Sequence, residues 1–407
     1  MRTWIAALAC LLLGIAGARA SVADAPGSAL RVALITYGPG ATYWERFGHD
    51  ALELTDTASG ESIDFNYGVF DFDAKGFLLN FARGRMRYLM DAEYAAPEQA
   101  SYAQDGRSVT RQRLALSPAQ ASALRDFLLW NLQPANAAYN YDYYTDNCTT
   151  RVRDALDRVL GGAIRRTLQE QPGGMTYRQQ TARLMRAQPW LMLALDLGLG
   201  PYADQPLDGW RESFLPMVLQ ARLRDVRIGS GTDARPLVAD ETLLAPNRLQ
   251  APPATAPDLR PPLAIAGLAL ALILLALRRG WRTGFALLGT LYLIAAGSVG
   301  VLLLVLWTLT AHRSAWANAN LLAFNPLAFA LIGALWRTAR GRAARAFAQG
   351  LIAAQLLALL AAVGLHLLPG VVQQNQPWLL FAWPAWLAIA WSLRQTTPPH
   401  SSQVVRP

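Results

Sequence analysis

Over the first 240 residues apolar and polar positions change places in short runs. RVALITY (31–37) is apolar and stops at Gly38-Pro39-Gly40, the pattern of a buried strand running into a loop. HDALELT (49–55) and SIDFNYGV (62–69) alternate with period two, and TASGES between them carries a hairpin turn signal. SVTRQRLAL (108–116) is a further strand. At SPAQASALRDFLLWNL (117–132) the spacing becomes helical, opened by Ser then Pro, an N-cap and first-turn pair. Residues 176–225 also read as helical. The pattern predicts an α+β domain over 29–240, with a helical extension at 176–225.

From Pro261 the pattern is different in kind. Apolar runs cover 263–277, 284–309, 321–336, 350–368 and 378–392, most of them long enough to cross a hydrocarbon core of about 30 Å. This predicts an all-α membrane domain of about five transmembrane helices over 261–394. Four is the alternative count, because the first run is short and the third contains Asn325-Pro326. APNRLQAPPATAPDLRPP (245–262) is rich in Pro and Ala, so residues 241–260 read as a linker. Residues 395–407 form a tail.

Charge orients this arrangement. Residues 261–407 hold ten Arg and no acidic residue, leaving 27 basic against 28 acidic residues before them. The net +9 is therefore a topology signal and not a nucleic-acid patch. RRGWR (278–282) and RTARGRAAR (337–345) lie on one side of the expected membrane and AHRSAWANAN and VVQQNQPW on the other, so the positive-inside rule places the Arg-rich loops and the C-terminus in the cytoplasm. MRTWIAALACLLLGIAGARA (1–20) has a basic start, an apolar run and a small-x-small end, the marks of a secretory signal peptide cleaved after Ala20. The expected location is the inner (plasma) membrane, with the N-terminal domain periplasmic.

Removing that peptide takes Cys10 with it and leaves Cys148 alone. A single thiol in an oxidising compartment is either core, reactive or bonded to another chain. Val152, Ala155, Leu156 and Val159 form a helical apolar stripe that extends back to Cys148, behind the capping types Asp146 and Asn147. Cys148 is thus expected in a helix's first turn, where unpaired N–H groups and the dipole favour a thiolate and lower its pKa. A nucleophile needs a base, and His49 is the sole histidine between residue 20 and the membrane half. It shares a strand face with Ala51, small enough to leave room for an approaching helix. Asp64 and Asn66 share one face of the next strand, and either one can orient the imidazole, Asn66 being preferred. Asp146 is a further candidate, and Asn147 and Asp146 border the expected oxyanion position. Arg83 and Arg85, with Tyr67, are candidates for contact with substrate, the arginines toward an anionic lipid headgroup. One His and one Cys about a hundred residues apart lack the clustered spacing of a zinc site, and no metal or cofactor is expected.

Three stretches carry a resemblance. LITYGPGATYWERFGHDALEL, NYGVFDFDAKGFLLNFARGRMRYLM and YNYDYYTDNCTTRVRDAL resemble the N-terminal periplasmic domain of the lipoprotein intramolecular transacylase (Lnb) family over residues 30–160. The five-helix half resembles that family's transmembrane domain. The resemblance implies a permuted papain-like (NlpC/P60-like) fold with Cys148 as nucleophile and His49 as base. It also implies transfer of an acyl chain from the diacylglyceryl part of a lipoprotein to its N-terminal amine, with membrane lipid or lipoprotein as substrate. Two other readings stay open: a thiol amidase or peptidase on cell-wall peptides, and a non-catalytic envelope binding or assembly module in which Cys148 is core.

Overall fold

The computed structural model describes residues 21–70, 76–229 and 231–394. The expected signal peptide (1–20) and tail (395–407) lie outside them. The chain divides into two units: one comprises the chain to Phe77, Met86–Gly174 and Asp208–Ala251, the other Leu78–Arg85, Met175–Leu207 and Pro252 onward.

The first unit is built on a seven-stranded antiparallel sheet of β1 (Leu30–Tyr37), β2 (His49–Asp56), β3 (Ser62–Val69), β4 (Met86–Tyr94), β5 (Val109–Leu114), β6 (Ala138–Tyr141) and, after a two-residue pair β7 (Arg227–Ile228) and β8 (Arg235–Pro236), β9 (Val238–Ala245). Its strand order is β6-β4-β3-β2-β1-β5-β9. β1 is apolar from Val32 to Ile35, where both its faces are covered. Val32 and Leu34 join Leu52, Leu54, Phe65 and Tyr67 in the main core, while Ala33, Ile35 and Tyr37 join Ala51 and Val109 in a smaller one on the other face.

In chain order the helices are α1 (Phe77–Ala82), which from Leu78 on belongs to the second unit, α2 (Ala95–Gln104), α3 (Pro118–Leu132) and α4 (Cys148–Val159); α2 to α4 fill the two faces of the sheet. α3 starts as its sequence predicts: Ser117 accepts from Gln120 N–H, Gln120 answers through its side chain, and Pro118 occupies the first turn. Its Leu124 and Leu128, with Val152 and Leu156 of α4, close the main core, and full burial of each such side chain stabilises by about 1.5–3 kcal/mol. α2 covers the other face through Tyr102 and Ala103. β9 takes the chain into the sheet as far as Ala245 by pairing with β5, so residues 241–245, expected in the linker, are strand.

The second unit is helical. Among the described residues four segments are long and apolar enough to cross a membrane: Arg260–Gly280, Arg282–Leu309, Ala319–Ala339 and Ala346–Leu365. That is the alternative count, not the preferred five. The remaining helix, Gln376–Arg394, has Pro384 inside it and packs Trp386 and Ile389 into the bundle core; its four tryptophans and two prolines lower its hydropathy. The third segment is broken at Asn325-Pro326, where Asn325 Oδ1 caps the following turn by accepting from Leu327 N–H.

Met175–Leu207 is tied into this unit by buried polar contacts. Arg178 pairs with Asp204 at 2.7 Å and with Asp196 at 3.2 Å, and Trp378 Nε1 donates to the other Asp196 oxygen. Asn318 and Asn320 donate to the Leu197 carbonyl. Leu78–Arg85 belongs to the same unit: Ala311 N–H donates to the Arg83 carbonyl, and Gly84, with φ +71°, lies so close to Ala311 and His312 that a Cβ would fall 2.8 Å from the His312 nitrogen.

Candidate active site

Cys148 is the first residue of α4, and the reason is local. Asn147 caps the helix by accepting from Thr150 N–H, while the Thr150 hydroxyl accepts from Asn147 N–H. The Asn147 amide also donates to the carbonyls of Tyr143 and Phe214, so all its polar capacity goes to building the helix start. Asp146 lies in a bidentate ion pair with Arg151. Neither side chain is left to meet an oxyanion or an imidazole.

His49 is the first residue of β2. Its ring lies parallel to those of Tyr37 and Tyr102, at 5.9 and 6.1 Å between centroids, and its Nε2 is 2.8 Å from Asn66 Oδ1. Asn66 Nδ2 in turn donates to Glu98 Oε2 at 2.9 Å. A carboxylate accepts only, so ionised Glu98 fixes the Asn66 amide with its oxygen toward His49. Nε2 then carries the proton and Nδ1 is the nitrogen left to act as base. Of the two alternatives on β3, Asn66 is the one beside His49. Asp64 accepts instead from the Tyr37 hydroxyl and from Gln99.

The room beside Ala51 is taken by α2 and not by the cysteine helix. Ala51 packs with Tyr102 and Ala103, whereas α4 lies over Leu52 and Leu54 on the opposite face. The two candidate groups therefore approach β2 from different sides and meet its end. β2 and β3 stop pairing at Ala51–Asn66, and beyond that point the main-chain N–H of Asp50, the residue after His49, is directed at Cys148 Sγ together with Thr149 N–H. Gly68, at a register shift in β3 with φ +94°, faces the Cys148 Cβ.

Electrostatics departs from expectation. Burial, then the charge of Asp50, pushes the Cys148 thiol up to about 11, against the opposing bonds from Thr149 and Asp50 N–H. The helix start is outweighed, because a thiolate loses more on desolvation than the first-turn N–H groups return. Burial also lowers His49, although its Asn66 bond and Glu98 act the other way. The resting pair is consequently neutral thiol and neutral imidazole.

Other residues escape a reading of the sequence. Asp50 is fully buried, with Oδ1 accepting from the Thr36 hydroxyl; burial raises it to about 7 against the bonds from Thr36 and Thr149. Glu98 is likewise raised by burial to about 7. Glu98 is 32 positions from Asn66, beyond any local signal. Asp50 was visible only as the neighbour of His49. Tyr67 sits in the core with its hydroxyl donating to Asn131, and Arg83 and Arg85 are exposed in the second unit.

A half-buried cysteine at a capped helix start, the only one among the described residues, beside a strand histidine held by a side-chain amide, is an arrangement suited to thiol chemistry. Residues 19–183 match the Lnb N-terminal periplasmic domain and residues 255–395 the Lnb transmembrane domain. The chain belongs to the Lnb family, as a membrane protein with an N-terminal periplasmic domain. No curated protein and no solved structure matches it.

Proposed function

We propose that this chain is a membrane-anchored thiol acyltransferase acting on acyl esters of lipids or lipoproteins outside the cytoplasm. The observation that carries the reading is the hydrogen-bonded series His49–Asn66–Glu98 ending next to the strand residue whose N–H meets the Cys148 sulfur. His49 Nδ1 takes the thiol proton as Sγ attacks the ester carbonyl, and the imidazolium returns it to the departing alkoxide. An amine then attacks the thioester carbonyl, its proton passing to His49; the C–N bond forms, the C–S bond breaks, and the proton returns to Sγ. With a neutral resting thiol, proton transfer accompanies attack instead of preceding it. The order of strand histidine and helix-start cysteine supports the permuted papain-like relationship implied by the resemblance.

A lipid substrate is supported by Leu78–Arg85. Leu78, Leu79 and Phe81 are exposed, at 77%, 55% and 40%, on a segment bonded to Ala311, two residues beyond the Arg282–Leu309 span. That is the depth of the membrane–water interface, where apolar side chains and Arg83 and Arg85 both find partners. The inner membrane and a cytoplasmic C-terminus complete the proposed setting, following the Arg-rich loops 278–282 and 337–345.

Mass spectrometry of lipoprotein N-termini tests the reading. Cells with the wild-type protein should carry an amine-linked acyl chain and a lyso diacylglyceryl group that cells with Cys148→Ser lack. Identical N-termini in both would overturn it.

A further inference from the structure

We propose that the Tyr139 hydroxyl is the side-chain donor to the oxyanion that forms when Cys148 is acylated, and that the β3 bulge at Gly68 is the notch admitting the acyl carbonyl. This rests on the thioester reading above.

Tyr139 is 7% exposed, and its hydroxyl is buried with no hydrogen-bond partner among the described residues. Buried polar atoms are ordinarily paired, so an orphan calls for a partner that arrives with function. Its position names that partner. A methyl group built on Gly68 would lie 3.6 Å from Cys148 Cβ and 3.8 Å from Tyr139 Oη, so the nucleophile and the phenol border the same space above the Gly68 backbone. That space, which Tyr141 Cε2 also borders at 3.8 Å, has room for a small group at van der Waals contact because β3 shifts register between Tyr67 and Val69 and because φ +94° favours a residue without a side chain.

The phenol is held rigidly. The Arg151 guanidinium lies 3.9 Å over its ring and is itself fixed by Asp146, while Tyr67 meets the ring edge to face at 6.2 Å. A donor fixed before the reaction needs no reorganisation when charge develops. The other donors nearby are committed: the Asn147 amide to Tyr143 and Phe214, and the Asp50 and Thr149 N–H groups to the sulfur. Burial, then Cys148, pushes the phenol above its ordinary value, so it stays protonated and donates without ionising.

In the step itself, the Sγ–C bond forms as the thiol proton passes to His49, and the carbonyl π pair moves onto oxygen, which accepts the Tyr139 O–H. Collapse restores the carbonyl, breaks the ester C–O bond and sends the His49 proton to the departing alkoxide. The phenol proton never leaves.

Tyr139→Phe tests this in the full chain in detergent, with p-nitrophenyl butyrate as acyl donor and iodoacetamide as a probe that needs the thiolate but forms no oxyanion. The expected result is acylation of Cys148 slowed by about 10²–10³-fold in kcat/KM with KM little changed. Alkylation should match wild type, and the melting temperature should be equal or higher because the lost hydroxyl was unpaired. Acylation of the variant at the wild-type rate would overturn the proposal, as would an equal slowing of alkylation, which would make the phenol a partner of the thiolate. Wild-type Cys148 that is alkylated but never acylated would overturn the thioester reading itself.

Discussion

His49 and Glu98 never touch, yet the Asn66 amide joins them, with Oδ1 2.8 Å from His49 Nε2 and Nδ2 2.9 Å from Glu98 Oε2. Above about pH 7, where Glu98 is ionised, the carboxylate thereby selects which imidazole nitrogen holds the proton. Glu98→Gln replaces an acceptor by a group that also donates, so the Asn66 amide is free to turn and the tautomer is no longer fixed. Its acyl transfer should fall about tenfold or more in kcat with KM little affected, whereas His49→Ala, which removes the base, should cost roughly 10²–10⁴-fold. Equal activity of Glu98→Gln and wild type across pH would break the link.

The thiol is expected to be slow. With Cys148 raised to about 11 by burial and by Asp50, iodoacetamide at neutral pH should react more slowly than with a model thiol of pKa about 8.5. Asp50→Asn removes the nearby negative charge and should speed alkylation. Because Asp50 titrates at about 7, the gain should appear above that pH and vanish well below it, where the wild-type carboxyl is neutral. Rate–pH profiles of the two proteins check this; fast alkylation of wild type at neutral pH would contradict it.

What was legible in the sequence is what has a local cause. β1, β2, β3 and β5 follow from alternation and turn residues, and the Cys148 helix start from Asn147 and the stripe Val152, Ala155, Leu156. In β4 the alternation Met86, Tyr88, Met90 is present but overlain by Arg83, Arg85 and Arg87, which draw attention to charge. β6 has four residues, too few for a period, and β9 is mostly exposed, placed by its ladder to β5 and not by an apolar face. The remaining parts of the site depend on distance along the chain. Glu98 and Tyr139 reach it through sheet and helix packing, and the raised Cys148 is a property of burial that no stretch of sequence carries.

Three buried carboxyls make the stability of the sheet domain fall with rising pH. Burial raises Asp50 and Glu98 to about 7 and Asp64 to about 6, so the folded state holds protons that the unfolded chain has released. Their contribution is complete below the unfolded carboxyl values and is lost as pH passes the folded ones. His49, lowered by burial, acts oppositely, while the lowered carboxyls Asp56 and Glu241 act oppositely only at more acidic pH. The melting temperature should therefore be higher at about pH 5 than at about pH 8, with a smaller difference in Asp50→Asn. A melting temperature that rises over this range would refute the assignment.

Orientation is checked by reporter fusions. By the positive-inside rule, the Arg-rich loops at 278–282 and 337–345 are the ones expected on the cytoplasmic side. A fusion after Asp240 should report an extracytoplasmic position and one after Arg342 a cytoplasmic one. The reverse pattern would remove the setting in which an exported acyl ester meets Cys148.

Asn147 links the fold to the chemistry more directly than any core residue. Its Oδ1 accepts from Thr150 N–H and its Nδ2 donates to the carbonyls of Tyr143 and Phe214, joining the helix start to two separate loops. Asn147→Ala removes a cap worth about 1 kcal/mol and leaves two buried acceptors short of a donor, at about 1–3 kcal/mol for an unsatisfied buried group. Asn147→Asp keeps the acceptor for Thr150 but cannot donate to either carbonyl and adds a charge that disfavours a thiolate. Both variants should melt lower than wild type. They should part in chemistry: alkylation of Cys148 above neutral pH should slow in Asn147→Asp through the added charge, and change less in Asn147→Ala. If the aspartate variant instead matches wild type in melting temperature and in alkylation, the two loop carbonyls do not depend on this amide, and the helix start is held by other means.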